Sequence, residues 1–123
     1  MEDDTTKFLR IAAEVGPMIS KTSDYKSVQP HLLDILDIVL RNPDKSEWFE
    51  SKFIEMFDDA KNYSEVVIIY CMHVLKYPRV LAHVKTLYER DALRTNDRAR
   101  RVLDACSPNW LARRIFKFPG DEK

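Results

Sequence analysis

The chain has 123 residues, 45% of them hydrophobic, with 2 Trp, 5 Tyr and 6 Phe, enough for one core and one domain. Lys plus Arg and Asp plus Glu number 20 each, so the net charge is zero and a strongly basic nucleic-acid binder is disfavoured. Two glycines are too few for a loop-rich or β-rich chain, and no basic segment leads into an apolar run and no apolar stretch nears the roughly 20 residues of a membrane crossing, so neither a secretory signal nor a transmembrane helix is expected.

Met1 to Thr5 is polar and acidic and reads as a frayed end. A helical pattern then runs through Phe8, Leu9, Ile11, Ala12 and Val15, until Gly16-Pro17 interrupts it and Met18-Ile19 adds one further turn. Lys21 to Asp24 is a polar connector whose Ser23 or Asp24 can cap a second helix, Tyr25 to Arg41. That helix carries an apolar stripe from Leu32 to Leu40, with Asp34, Asp37 and Arg41 opposite. Pro30 suits a first turn, which would make the segment before it a separate turn. Asn42-Pro43-Asp44 ends the helix.

A third helix spans Asp44 to Asp59. Trp48, Phe49, Phe53, Ile54, Met56 and Phe57 form its buried side, and Glu47, Glu50, Glu55, Asp58 and Asp59 its exposed side. After a short connector, Ser64 is placed to cap the central helix. Val66 to Met72 is the longest unbroken apolar run in the chain. It is apolar on every side of a helix, which predicts a fully buried one. Pro78 forbids its continuation and suits the start of another helix. The spacing therefore predicts a helix ending at Lys76, a tight corner at Lys76 and Tyr77, and a second helix from Pro78 to Arg90. Asp91 to Asn96 is a polar turn. The next helix turns Ala99, Val102, Leu103 and Cys106 inward and Arg94, Arg98 and Arg101 outward. Ser107-Pro108-Asn109 breaks it, Trp110 to Phe116 forms a last short helix, and residues 118–123 are a frayed tail. No segment alternates with period two over strand length. The expected fold class is all-α, with six or seven helices in stacked antiparallel pairs, as a compact bundle or a short solenoid.

The string Tyr70-Cys71-Met72-His73-x-Leu75-x-Tyr77-Pro78-x-Val80 resembles a signature of small bacterial proteins built from HEAT-like helix pairs. The following Asp97 to Leu103 and Trp110 are similar to the arginine-rich helix and tryptophan of that group, so the likeness covers about residues 30–112. The chain departs from it at Tyr70, where phenylalanine is more usual, and in the basic ending Arg113-Arg114. Some small all-helical proteins of this kind resemble immunity proteins of contact-dependent inhibition and related toxin systems. The resemblance implies a cytoplasmic protein that binds and neutralises a cognate toxin domain.

The residues themselves predict no enzyme, no cofactor and no metal site. His31, His73 and His83 lack the i, i+4 spacing of helical metal ligands. His73, beside the Tyr77-Pro78 corner, reads as a structural histidine bonded to a backbone carbonyl there. Cys71 and Cys106 lie in apolar helical patterns and read as reduced core residues rather than nucleophiles or a disulfide. Gly16 and Gly120 are the only glycines, which excludes a glycine-rich phosphate loop.

Charge is uneven along the chain. Residues 1–62 hold 13 acids and 8 bases, and residues 63–123 hold 7 acids and 12 bases. This leaves two candidate partner surfaces. The acidic one comprises Asp34, Asp37, Asp44, Glu47, Glu50, Glu55, Asp58 and Asp59, merged into one patch if the second and third helices form a hairpin. It would oppose the cationic active site of a nuclease toxin. The basic one comprises Arg94, Arg98, Arg101, Trp110, Arg113 and Arg114, suited to nucleic acid or an acidic protein in a helical adaptor.

Overall fold

A computed structural model describes residues 3–22, 25–59, 61–90, 97–107, 110, 116 and 118. Among these, all regular structure is helical: α1 (Asp4–Thr22), α2 (Tyr25–Leu40), a 3-10 turn (Pro43–Lys45), α3 (Ser46–Asp58), α4 (Glu65–Leu75), α5 (Pro78–Arg90) and α6 (Asp97–Ala105).

The N-terminus is less frayed than expected. The Asp3 carboxylate accepts the Thr6 amide at 2.8 Å and the Thr5 hydroxyl at 3.0 Å, the geometry of a helix cap. Phe8, Ile11, Ala12 and Val15 then bury one stripe of α1. The break expected at Gly16-Pro17 does not occur, and α2 likewise runs unbroken through Pro30. Both prolines are exposed. The helix hydrogen bonds that proline cannot make therefore fall on the exposed sides, and the apolar stripes on the opposite sides hold the helices together. Gly16 has no Cβ to clash with the following proline ring, which eases a helical residue at that place.

The central hairpin follows the sequence expectation. Val66 to Met72 is buried without interruption. Ser64 caps α4 by accepting the Val66 amide at 3.2 Å. Lys76 takes the left-handed conformation at φ 48° and donates to the Met72 carbonyl at 3.1 Å. Pro78 opens α5 two residues later. Full burial ends at Met72, however: His73 and Leu75 are partly buried and Val74 between them is exposed.

The packing follows a simple order. α1 pairs with α2, α3 with α4, and α5 with α6. Across pairs, α2 lies on α4, α4 on α6, and α3 on α5. The Phe8 ring meets Phe49 and Phe53 edge-on at 5.0 and 5.5 Å, joining α1 to α3. Three helix pairs are thus stacked with α1, α3 and α5 in one layer and α2, α4 and α6 in the other. α4 is the central helix, which explains why it alone is apolar all round. The expected final helix from Trp110 to Phe116 and the turn at Asp91 to Asn96 lie largely outside the described residues. Phe118, expected in a frayed tail, is buried with Phe116. No helix among the described residues is long and apolar enough to cross a membrane.

Candidate functional site

The eight acids of the first surface do not form one patch. α2 rests on α1 and α4, and α3 rests on α4 and α5, so these two helices are not a face-to-face hairpin. Asp34 and Asp37 stand exposed on α2, in the layer opposite to α3. Asp37 pairs with Arg41, which also reaches Asp4 at 3.1 Å. Asn42 donates to Asp4 at 2.8 Å, and these two partners hold the Asp4 carboxyl down to about 2.

On the other layer, Glu47, Glu55 and Asp58 are exposed along one side of α3, with Asp44 exposed just before it. Their i, i+8 and i+11 spacing returns to the same side of a helix. Lys52 approaches Glu55 at 3.3 Å. His83 Nε2 lies 2.7 Å from Asp58. Asp59 accepts the Asn62 side-chain amide at 3.0 and 3.1 Å.

Glu50 corrects the expected exposed side. Its side chain is only 12% exposed, and Oε2 accepts the Arg79 backbone amide at 3.0 Å. Pro78 has no N–H and Tyr77 has no capping side chain, so the start of α5 takes its acceptor from α3. The carboxylate also faces the positive end of the α5 dipole. Glu50 therefore docks one helix on another rather than facing a partner.

Arg98 is the matching correction on the basic surface. It was expected to face outward, but its side chain is 16% exposed. The guanidinium donates to the Phe57 carbonyl at 3.1 Å, the Met56 carbonyl at 3.0 Å, the Tyr63 carbonyl at 3.3 Å and the Glu65 carboxylate at 3.0 Å. It also lies 5.2 Å over the Phe57 ring. Arg98 closes the C-terminus of α3, which ends without a glycine and leaves carbonyls to be satisfied from elsewhere. Burial pushes its pKa down, and Glu65 opposes the shift. Arg101 is 52% exposed and shares Glu65. Arg94, Arg113 and Arg114 lie outside the described residues, and Trp110 is partly buried against His73 at 4.9 Å. Among the described residues, the arginine–aromatic surface is therefore not assembled. Arg79, 70% exposed on α5, is a basic residue the sequence reading left out.

His73 is bonded to a carbonyl, but not at the corner beside it. Its Nδ1 donates to the Ala105 carbonyl on α6 at 2.7 Å, which fixes the proton on that nitrogen. Burial pushes the Cys71 thiol far up and the Cys106 thiol up. Among the described residues, no group of three His, Cys, Asp or Glu is arranged to hold a metal.

An open groove of about 680 Å³ runs between the end of α1 and the α3–α4 connection, lined by Gly16, Pro17, Asp59, Lys61, Asn62 and Ser64 among others. Its Asp59 and Asn62 side chains bond to each other and Ser64 caps α4, so these groups serve the loop itself. Comparison of the chain with protein-family models, with curated proteins and with solved structures found no match.

Proposed function

We propose that this chain is an immunity protein, a cytoplasmic inhibitor that binds and neutralises a cognate toxin domain, a nuclease, by protein–protein contact and without catalysis. The observation that carries the reading is the exposed acidic side of α3, with Asp44, Glu47, Glu55 and Asp58 on one layer of a stacked-pair scaffold. A preordered helical surface loses little entropy on docking. Acids on it steer it toward a phosphate-binding, cationic site and raise the association rate. The resemblance of the Tyr70 to Val80 string to HEAT-like proteins supports the same reading.

The test is co-expression with the C-terminal domain of a toxin encoded beside this chain. The expected result is survival and a complex stable in gel filtration. Cell death at the rate seen without this chain, together with no complex, overturns the proposal. Reversing Asp44, Glu47 and Glu55 to Lys should slow association at least several-fold. Glu50 is left out of that set, because its reversal would disturb α5.

A second reading is a helical adaptor that binds nucleic acid or an acidic protein through its basic half. The exposure of Arg79 and Arg101 on the last helix pair favours it. Its nucleic-acid form predicts binding that falls steeply with salt, and the absence of an electrophoretic shift at low salt removes that form.

A further inference from the structure

The uneven charge of the chain takes a definite place in the fold. Residues 1–62, which hold 13 acids and 8 bases, end just before α4, and residues 63–123 hold 7 acids and 12 bases. α3 closes the acidic half, α5 belongs to the basic half, and the two lie against each other in one layer. They run in the same direction: Glu50 meets the start of α5 at Arg79, and further along Asp58 meets His83. The outward side of α3 carries Glu47, Ser51, Glu55 and Asp58, all exposed, with Ile54 partly buried among them. The outward side of α5 carries Arg79, Ala82, Thr86 and Arg90, all exposed, with Glu89 beside them. Both sets have the three- and four-residue spacing of one helix side. Arg79 approaches Glu50 only to 3.8 Å and is 70% exposed.

We propose that this face, acidic on α3 and basic on α5, binds a second copy of the chain. A two-fold axis along the α3–α5 seam lays α3 of each copy on α5 of the other, so every acid–base contact occurs twice. The ties at Glu50 and Asp58 put Ile54 level with the turn from Arg79 to His83. Each Ile54 therefore meets Ala82 of the other copy, and Glu47 and Glu55 bracket the other Arg79. The short side chains of Ser51, Ala82 and Thr86 let the helices approach. A partner of one sign matches α3 or α5 but not both, whereas a second copy matches both. The net charge of zero lets two copies meet without overall repulsion. This inference goes beyond the inhibitor reading and does not rest on it. It adds that the acidic side of α3 is covered in the dimer and free in the monomer.

The test is sedimentation equilibrium of the purified chain alone, at submillimolar protein concentration. It is run at about 0.01 M and about 1 M salt, between which the screening length falls from about 30 Å to about 3 Å. The expected result is a dimer at low salt whose dissociation constant rises at least tenfold at high salt. The α3 variant Glu47→Lys, Glu55→Lys and the α5 variant Arg79→Glu, Ala82→Glu should each be monomeric. An equimolar mixture of the two should form dimers again, because the lysines of one then face the glutamates of the other. A wild-type chain that stays monomeric at low salt overturns the proposal. So does a dimer equally tight at both salts, a dimer that neither variant weakens, or a mixture of the two folded variants that does not associate. Circular dichroism checks the fold. Ala82→Glu alone, at an exposed position outside the core, replaces any double variant that unfolds, and a dimer as tight as wild type in that single variant overturns the proposal too.

Discussion

Glu50 Oε2 accepts the Arg79 backbone amide at 3.0 Å, so a carboxylate in the middle of α3 caps the start of α5. The two residues are 29 apart in sequence, and the bond ties the second helix pair to the third. Glu50→Ala leaves that amide without its partner and should cost about 1–3 kcal/mol. Glu50→Gln keeps an acceptor and loses only the charge at the helix end, which should cost about 0.3–1 kcal/mol. Urea denaturation of both variants separates the two effects, and equal losses would show that the charge alone matters.

Arg98 makes the reciprocal tie from α6 to the end of α3. Arg98→Lys keeps the charge but cannot reach three carbonyls and a carboxylate with one ammonium. It should lower stability by about 1–3 kcal/mol. Arg101→Ala, which removes a half-exposed partner of the same Glu65, should change it by less than about 1 kcal/mol. Similar losses in the two variants would contradict the capping role assigned to Arg98.

Pro17 sits exposed inside α1, where proline costs a helix about 3 kcal/mol relative to alanine. Part of that is offset because proline also restricts the unfolded chain, by about 0.4–1 kcal/mol. Pro17→Ala should therefore stabilise the protein by roughly 2–2.5 kcal/mol, visible as a raised thermal midpoint. A lowered midpoint would mean that the ring makes a contact beyond its exposed position.

Cys71 is buried with its thiol pushed far up, and Cys106 is half-buried. With a thiol reagent at pH 8, the native protein should expose one slowly reacting cysteine, Cys106. Both should react once the chain is unfolded in guanidinium. Modification of Cys71 under native conditions, located by peptide mass mapping, would show that α4 opens far more readily than its packing implies.

Asp4 is held at about 2 by hydrogen bonds from Arg41 and Asn42, below its ordinary 3.8. A carboxyl depressed on folding adds stability above the unfolded value and loses it as pH falls through the folded one. The clasp between α1 and the α2–α3 corner should thus persist at pH 4 and be lost near pH 2. An NMR titration of the Asp4 side chain should find that midpoint, and Arg41→Ala should return it toward 3.8.

The helices were legible from the chain because their determinants are local. An unbroken apolar run in α4, a tight corner before Pro78 and three- and four-residue apolar spacing in α3 and α6 need no knowledge of neighbours. Even Glu50 and Arg98 had a positional signal. Glu50 continues the stripe of Phe53 and Phe57, and Arg98 that of Val102 and Ala105, so spacing placed both on buried sides while their charge suggested solvent. Tertiary structure decided what those charges do there, because a helix end lacks its hydrogen-bond partners in every sequence and only packing determines which neighbour supplies them. The same holds for the prolines of α1 and α2: local chemistry disfavours a helix through them, and burial of the opposite stripe outweighs it. The acids of α2 and α3 are separated for a related reason. Order along the chain suggested a hairpin, but α2 packs on α1 and α4, and each helix settles where its apolar stripe finds the largest complementary surface.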